Sequence, residues 1–432
     1  MNKILALITV GFCMTGLIAQ NVLDAKDSDP DKMGWMKGFP PEKDKIISAA
    51  DGSFFTFPAL RYSVNHMREF NPTREVRAAK EKYFTFKTKI DDGIDSVTFI
   101  PTGETEPMTI AQSLDKNYVD GIIVVHKGKI VYEKYPAGLK QDGIHAAMSV
   151  SKSFTGTLGS ILIAEGVIDE NKLVSDYVPE LAKSGFGDAT VRQVMDMTTA
   201  IKYSEDYNDP NAEVWSFTAA GNPFRPADYQ GPKDYYEYLQ TVQKLPGHEH
   251  GQAFAYRTVN TDVMGWIISR VTGKSITELI SELIWVPMGA KYDGYYQVDP
   301  AGIAFAGGGF NLNLRDMAVF GEMLRNNGKV GRKQVIPAAA VEDITRGGDL
   351  GVFERGDHPE LKGWSYRNMW WITNNENKAY CARGVHGQVI YIDPTAEMVI
   401  VRFSSNPMAA NKYNDPYSLP AYQAIADYLM AK

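Results

Sequence analysis

Asp120-Gly121-Ile122-Ile123-Val124-Val125-His126, Lys127-Gly128-Lys129 and Ile130-Val131-Tyr132-Glu133-Lys134-Tyr135 form two runs of β-branched and aromatic residues around a glycine-bearing turn. This is the pattern of a β-hairpin. Near the C-terminus Gln388–Ile392 and Met398–Phe403 repeat it around Asp393-Pro394-Thr395-Ala396-Glu397, predicting a second hairpin. Between the two the character is helical. Phe154, Leu158, Leu162 and Ile163 recur at helical spacing over Ser151–Glu165, with Gly166 placed to stop the helix. Further helices are predicted from Thr190 to Met197, from about Asn260 to Val271 before Thr272-Gly273, and from about Leu419 to Leu429. Strands at both chain ends with helices between them predict an α+β fold: an antiparallel sheet assembled from both ends and flanked by helices, with a helical region inserted at about residues 160–300.

The flanking chain sets the domain plan. Met1-Asn2-Lys3 followed by an apolar stretch through Ala19 reads as a secretory signal peptide cut after Ala19, and predicts an exported, periplasmic or secreted protein. A retained anchor is the alternative, but the stretch is short and carries Gly11 and Gly16. After cleavage Cys381 is the one remaining cysteine, so stability rests on a core rather than on a disulfide. Residues 20–95 are polar and aperiodic and read as an N-terminal extension packing on a main domain at 96–432. A hydrophobic fraction of 44%, against 22% charged, excludes disorder, and a net charge of −7 without a long basic run gives no footprint for nucleic acid.

Several chemistries lack their residues. Among seven histidines only His248-Glu249-His250 clusters, in a Gly/Pro-flanked loop without further ligand-spaced partners, so a solvated loop is expected there and no metal. Gly307-Gly308-Gly309 lacks the ending of a phosphate loop and reads as a tight turn or a close backbone approach to a ligand. No serine has glycine two residues before and two after it, which removes the nucleophile elbow of α/β-hydrolases. Ser149-Val150-Ser151-Lys152, opening a helix, offers a different route. Residues i and i+3 share a helical face, so the Ser149 hydroxyl and Lys152 amine can meet, and a lysine whose pKa is lowered by burial accepts the proton of a weak nucleophile. Ser113-Leu114-Asp115-Lys116 matches the same tetrapeptide, but in what reads as a polar lead-in to a strand, so Ser149 is preferred.

Met148-Ser149-Val150-Ser151-Lys152-Ser153-Phe154, the run Gly251–Trp266 containing Tyr256-Arg257-Thr258, and Gly384-Val385-His386-Gly387-Gln388 together resemble the serine hydrolases related to class C β-lactamases and penicillin-binding proteins, closest to the 6-aminohexanoate-dimer hydrolase group. Tyr203–Pro210 and Gly307–Phe310 share the resemblance, which spans about residues 60–430. It implies a cofactor-free hydrolase that cleaves a small-molecule amide or ester through an acyl-enzyme. Ser149 is then the nucleophile, Lys152 its proton acceptor, and Tyr256 the phenol or phenolate that carries the proton to the leaving group. The oxyanion hole would be the N–H groups of Ser149 and Val385. A tyrosine flanked by cations ionises below its reference pKa of about 10, which would make Tyr256 a base near neutrality. Its alternative is an aromatic packed on the following helix. Tyr207 would lie over the cleft to hydrogen-bond an amide, or would be a packed loop aromatic.

Two positions depart from the relatives. Ala382-Arg383-Gly384 replaces Lys/His-Ser/Thr-Gly, so the groups that hold a β-lactam carboxylate are absent or altered, with Arg383 a partial substitute. The asparagine of many relatives two after the tyrosine is Thr258, with Asn260 nearby. His386 is a candidate for substrate contact, with a structural histidine the preferred reading. A carboxylesterase or D-amino-acid peptidase of the same family is the alternative activity, and a silent peptidoglycan- or protein-binding relative the alternative class.

Overall fold

A computed structural model describes residues 22–207 and 209–432, and the expected leader at 1–19 lies outside them. In chain order, the strands that build the site region are β1 (Thr73–Val76), β2 (Lys87–Thr88), β3 (Val119–His126), β4 (Lys129–Lys134), β5 (Ile144–Ala146), β6 (Gly294–Gln297), β7 (Phe310–Asn313), β8 (Ser365–Arg367), β9 (Trp370–Ile372), β10 (Tyr380–Gly384), β11 (Gln388–Asp393) and β12 (Met398–Ser404). The helices that matter are α1 (Ile110–Lys116), α2 (Val150–Ala164), α3 (Val191–Met195), α4 (Val259–Thr272), α5 (Leu314–Arg325) and α6 (Asp415–Met430).

Both predicted hairpins form. β3 turns into β4 through Lys127 and Gly128 at φ 49° and 72°, both left-handed, as a two-residue hairpin turn demands. β11 pairs with β12, and β12 pairs with β3, Val401 facing Ile123, so the two chain ends share one eight-stranded sheet ordered β8-β9-β10-β11-β12-β3-β4-β2. Its central strands are apolar at nearly every position because both faces are covered. Ile390 and Val399 meet α5, where a Cβ on Gly321 would lie 2.7 Å from Val399 Cγ1, and Tyr391 on the other face lies 5.2 Å from the Tyr422 ring of α6.

Helix α2 is buried on all sides. Phe154 stacks on Phe320 of α5 at 4.0 Å, and Gly156 lets the helix touch the chain opposite: a Cβ there would sit 2.1 Å from the Asn368 carbonyl oxygen. Gly273, at φ 68°, ends α4 as expected.

The sequence reading did not foresee a second, four-stranded sheet, β1-β6-β7-β5. Its strands are three or four residues long, too short to show a period. It is nonetheless the platform of the site: β5 runs into Ser149, and β7 leaves the Gly307–Gly309 turn beside it. The extension supplies its edge strand β1, while β2 joins the large sheet parallel to β4. Fully buried Arg61 fastens the same segment to β3 and β12, pairing with Asp120 at 3.3 Å and donating to Ser405 at 3.0 Å. Ser113 lies inside α1 rather than ahead of a strand. Its hydroxyl donates to the Ile110 carbonyl at 2.7 Å, and the Lys116 ammonium lies 4.9 Å from the centre of the Tyr417 ring, so this second Ser-x-x-Lys brings no amine to its hydroxyl.

Candidate active site

β5 ends at Ala146, and the chain must then turn sharply into α2. The Ala147 N–H donates to Phe310 O at 2.9 Å, and Met148 takes the left-handed conformation at φ 49°, one that costs a side-chain-bearing residue about 1–2 kcal/mol. The turn is held by Ser151, whose hydroxyl donates to Met148 O at 2.6 Å and accepts from the Phe310 N–H at 3.0 Å. Ser149 is thereby set at the N-cap of α2.

One helical turn on, Lys152 is 1% exposed. Its ammonium donates to Ser149 Oγ at 2.8 Å and to the Gly307 carbonyl at 2.7 Å. The triple glycine, expected as a tight turn or a close approach to a ligand, brings its backbone to Lys152 instead. A Cβ on Gly307 would lie 2.4 Å from Thr258 Cγ2, so only glycine brings that carbonyl in. Burial pulls the Lys152 pKa down, and the carboxyls of Glu205 and Asp262 pull it part of the way back.

Tyr256 arrives on the segment before α4. Its phenol comes close to the Ser149 hydroxyl, its ring stacks on Trp371 at 5.3 Å, and the Lys152 ammonium lies 5.1 Å from the ring centre. The three residues that the sequence placed together do meet. The expected low phenol pKa is overturned: burial drives it well above the ordinary value, and nearby Glu205 adds to the rise. Arg383, a cation opposing this, is already neutralised by a carboxylate. Tyr256 is therefore a neutral phenol at physiological pH.

The last strand end closes the site. Gly384 lies so near the turn before Ser149 that a Cβ would sit 2.8 Å from Ala147 O and 3.1 Å from Met148 Cβ, and Val385 packs in the cluster containing Met148. Among the described residues, neither the Ser149 nor the Val385 N–H donates to a turn or loop carbonyl. Tyr207 sits in the loop as a partly exposed phenol, its ring edge-on to Trp215 at 6.0 Å and close enough to Tyr256 and Glu205 to interact electrostatically.

The remaining candidates are engaged elsewhere. Arg383 is 7% exposed, holds both oxygens of Asp415 at 2.6 and 2.5 Å, and lies 5.4 and 5.3 Å from the rings of Trp364 and Trp371. Asn260 is fully buried, accepting from the Thr199 hydroxyl at 2.7 Å and donating to Arg257 O at 3.2 Å. His386 pairs its Nδ1 with Asn406 O at 2.7 Å, meets the Phe55 ring edge-on, and is driven by burial down to a pKa of about 4, so it is neutral. In the His248–His250 loop, His250 accepts from the Ala200 N–H at 2.8 Å and faces Asp188 at 3.0 Å, and Glu249 pairs with Lys244. Among the described residues no group of three His, Cys, Asp or Glu is arranged to hold a metal.

Sequence reasoning gave no role to two acids near Lys152. Glu205 accepts the Thr258 N–H, and Asp262 lies in the first turn of α4. Asp262 had a visible signal, an acid within the otherwise apolar run Val263-Met264-Gly265-Trp266-Ile267-Ile268 that it opens. Glu205, in an irregular loop, had none.

A sequence model of the beta-lactamase family matches residues 110–419. The chain is 36% identical over 299 residues to a 6-aminohexanoate-dimer hydrolase of Paenarthrobacter ureafaciens, covering 69% of this chain and 75% of that protein. Among solved structures, a Bacillus anthracis protein provisionally named a 6-aminohexanoate-dimer hydrolase superposes with a TM-score of 0.81 at 34% identity, over 91% of this chain and 99% of the other. A D-stereospecific amidohydrolase of Streptomyces, at 17% identity, TM-score 0.51, and coverage of 68% and 92%, shares the fold.

Proposed function

The chain belongs to the beta-lactamase family and is a serine hydrolase of amide or ester bonds, and from that premise we propose that Ser149, Lys152 and Tyr256 carry its chemistry on a small linear amide. The observation that supports this most is the Lys152 amine 2.8 Å from Ser149 Oγ with the Tyr256 phenol close to the same hydroxyl. In this reading neutral Lys152 takes the Ser149 proton as Oγ attacks the carbonyl carbon, and the oxyanion falls between the Ser149 and Val385 N–H groups. Neutral Tyr256 then gives its proton to the leaving nitrogen and recovers one from the Lys152 ammonium, which leaves the amine base free again. Water repeats the sequence on the acyl-enzyme.

The amide that names the Paenarthrobacter relative, the 6-aminohexanoate dimer, is our first substrate candidate, with Tyr207 donating to the amide. Arg383 is spent on Asp415, which supports an acyclic amide over a β-lactam, whose carboxylate needs a free cation. We also infer export, from the leader-like Met1–Ala19. The test is a panel of aminohexanoate oligomers, short-chain p-nitrophenyl esters, D-Ala-D-Ala peptides and nitrocefin, run on wild type and Ser149→Ala, with a fluorophosphonate probe. Turnover and a Ser149 adduct in wild type alone are expected. No adduct and no turnover would favour a silent binding relative.

A further inference from the structure

Lys152 is a buried cation with two neutral acceptors, Ser149 Oγ and the Gly307 carbonyl. Gly307 has a second polar group: its N–H donates to Asp262 Oδ1 at 3.4 Å, and the Ala306 N–H faces the same carboxyl. Asp262 is 3% exposed, and its Oδ2 has no hydrogen-bond partner among the described residues. That oxygen would lie 3.1 Å from a Cβ on Gly307. One glycine residue thus links the carboxyl of α4 to the amine of α2, holding the first by its N–H and the second by the C=O of its next peptide. An unpaired buried carboxylate is costly unless a cation answers it, and Lys152 is the cation here.

We propose that Asp262 is a positioning residue for Lys152: through Gly307 it fixes the carbonyl that anchors the amine, and together with Glu205 its charge holds the proton that the amine must shed before it takes the one from Ser149. This rests on the reading of Lys152 as the proton acceptor. The charged and titratable groups facing Asp262 are Lys152 from α2, Glu205 and Tyr203 from the loop after α3, Tyr235 and Tyr236 from the segment before α4, and Tyr296 from β6. Lys152 is the cation among them. Burial raises the Asp262 pKa and lowers that of Lys152, while their attraction opposes both changes.

Asp262→Asn keeps shape and removes charge. Losing the attraction lets Lys152 shed its proton more easily, so the acid limb of the kcat/KM profile moves to lower pH, by up to about one unit because Glu205 still faces the amine. An acid limb that stays in place overturns the proposal. A second measurement does not need activity: thermal unfolding of Asp262→Asn, Lys152→Ala and the double variant. Asp262→Asn is expected to lower Tm in wild type and to raise it on the Lys152→Ala background, where the carboxylate has lost its cation. Equal lowering on both backgrounds overturns the coupling. That outcome leaves the Ser149 assignment intact, whereas persistence of activity in Ser149→Ala would sink the parent reading without touching this cycle.

Discussion

Replacing Tyr256 by phenylalanine removes one oxygen from the site and little else. The ring keeps its stack on Trp371 at 5.3 Å and its place beside the Lys152 ammonium, so the fold and the Ser149–Lys152 pair should survive. What disappears is the proton donor beside Ser149. A positioned general acid is worth about 10²–10⁴-fold, or about 3–5 kcal/mol of barrier. That full cost falls on an amide, because an amine cannot leave as its anion. A p-nitrophenyl ester expels a stabilised phenolate that needs no proton, so its acylation should fall by about tenfold or less on the same scale. The assay is kcat/KM for an aminohexanoate oligomer and for a p-nitrophenyl ester of matched acyl chain, on wild type and Tyr256→Phe. Equal losses on both substrates would refute leaving-group protonation and leave Tyr256 as packing around the nucleophile.

Three further predictions concern the frame. Gly156→Ala places a methyl on the Asn368 carbonyl and should cost about 1–3 kcal/mol, read as a lower denaturant midpoint at unchanged slope. Asp415→Ala strands the buried Arg383 guanidinium and should cost about 3–5 kcal/mol, while the double change Arg383→Met with Asp415→Leu should recover most of it; a double variant no more stable than the single one contradicts the pairing. His386 has a folded pKa of about 4, below its unfolded value of about 6.5, so its neutral form stabilises the fold fully above pH 6.5 and that contribution, roughly 3 kcal/mol at most, is lost as pH falls through about 4. His386→Asn, which tolerates the φ of 62° at that position, should flatten the stability profile between those pH values, and an unchanged slope in urea titrations would count against it.

The nucleophile and its amine were legible because they lie one helical turn apart, where local geometry alone makes them meet. The phenol's pKa was not. A string of residues shows which cations are present, but it does not show that Arg383 is consumed by Asp415, or that Tyr256 is packed where desolvation outweighs the charges around it. For the same reason Asn260 and Arg383 read as candidate ligand groups while the folded protein uses both internally. The hairpins and long helices were visible as periodicity, whereas the four-stranded sheet was not, since strands of three or four residues carry too few side chains to declare a face.

By itself the sequence determined the elements whose bonds are local: two hairpins closed by their own turns, a helix opened by Ser149 and followed by Gly166, and the Ser-x-x-Lys spacing. Only the tertiary structure decided what each charge is worth, because desolvation and pairing depend on neighbours distant in the chain. The Gly307 carbonyl reaches Lys152, and the Asp262 carboxyl reaches Gly307, from segments more than a hundred residues beyond Lys152, and no local pattern encodes that meeting.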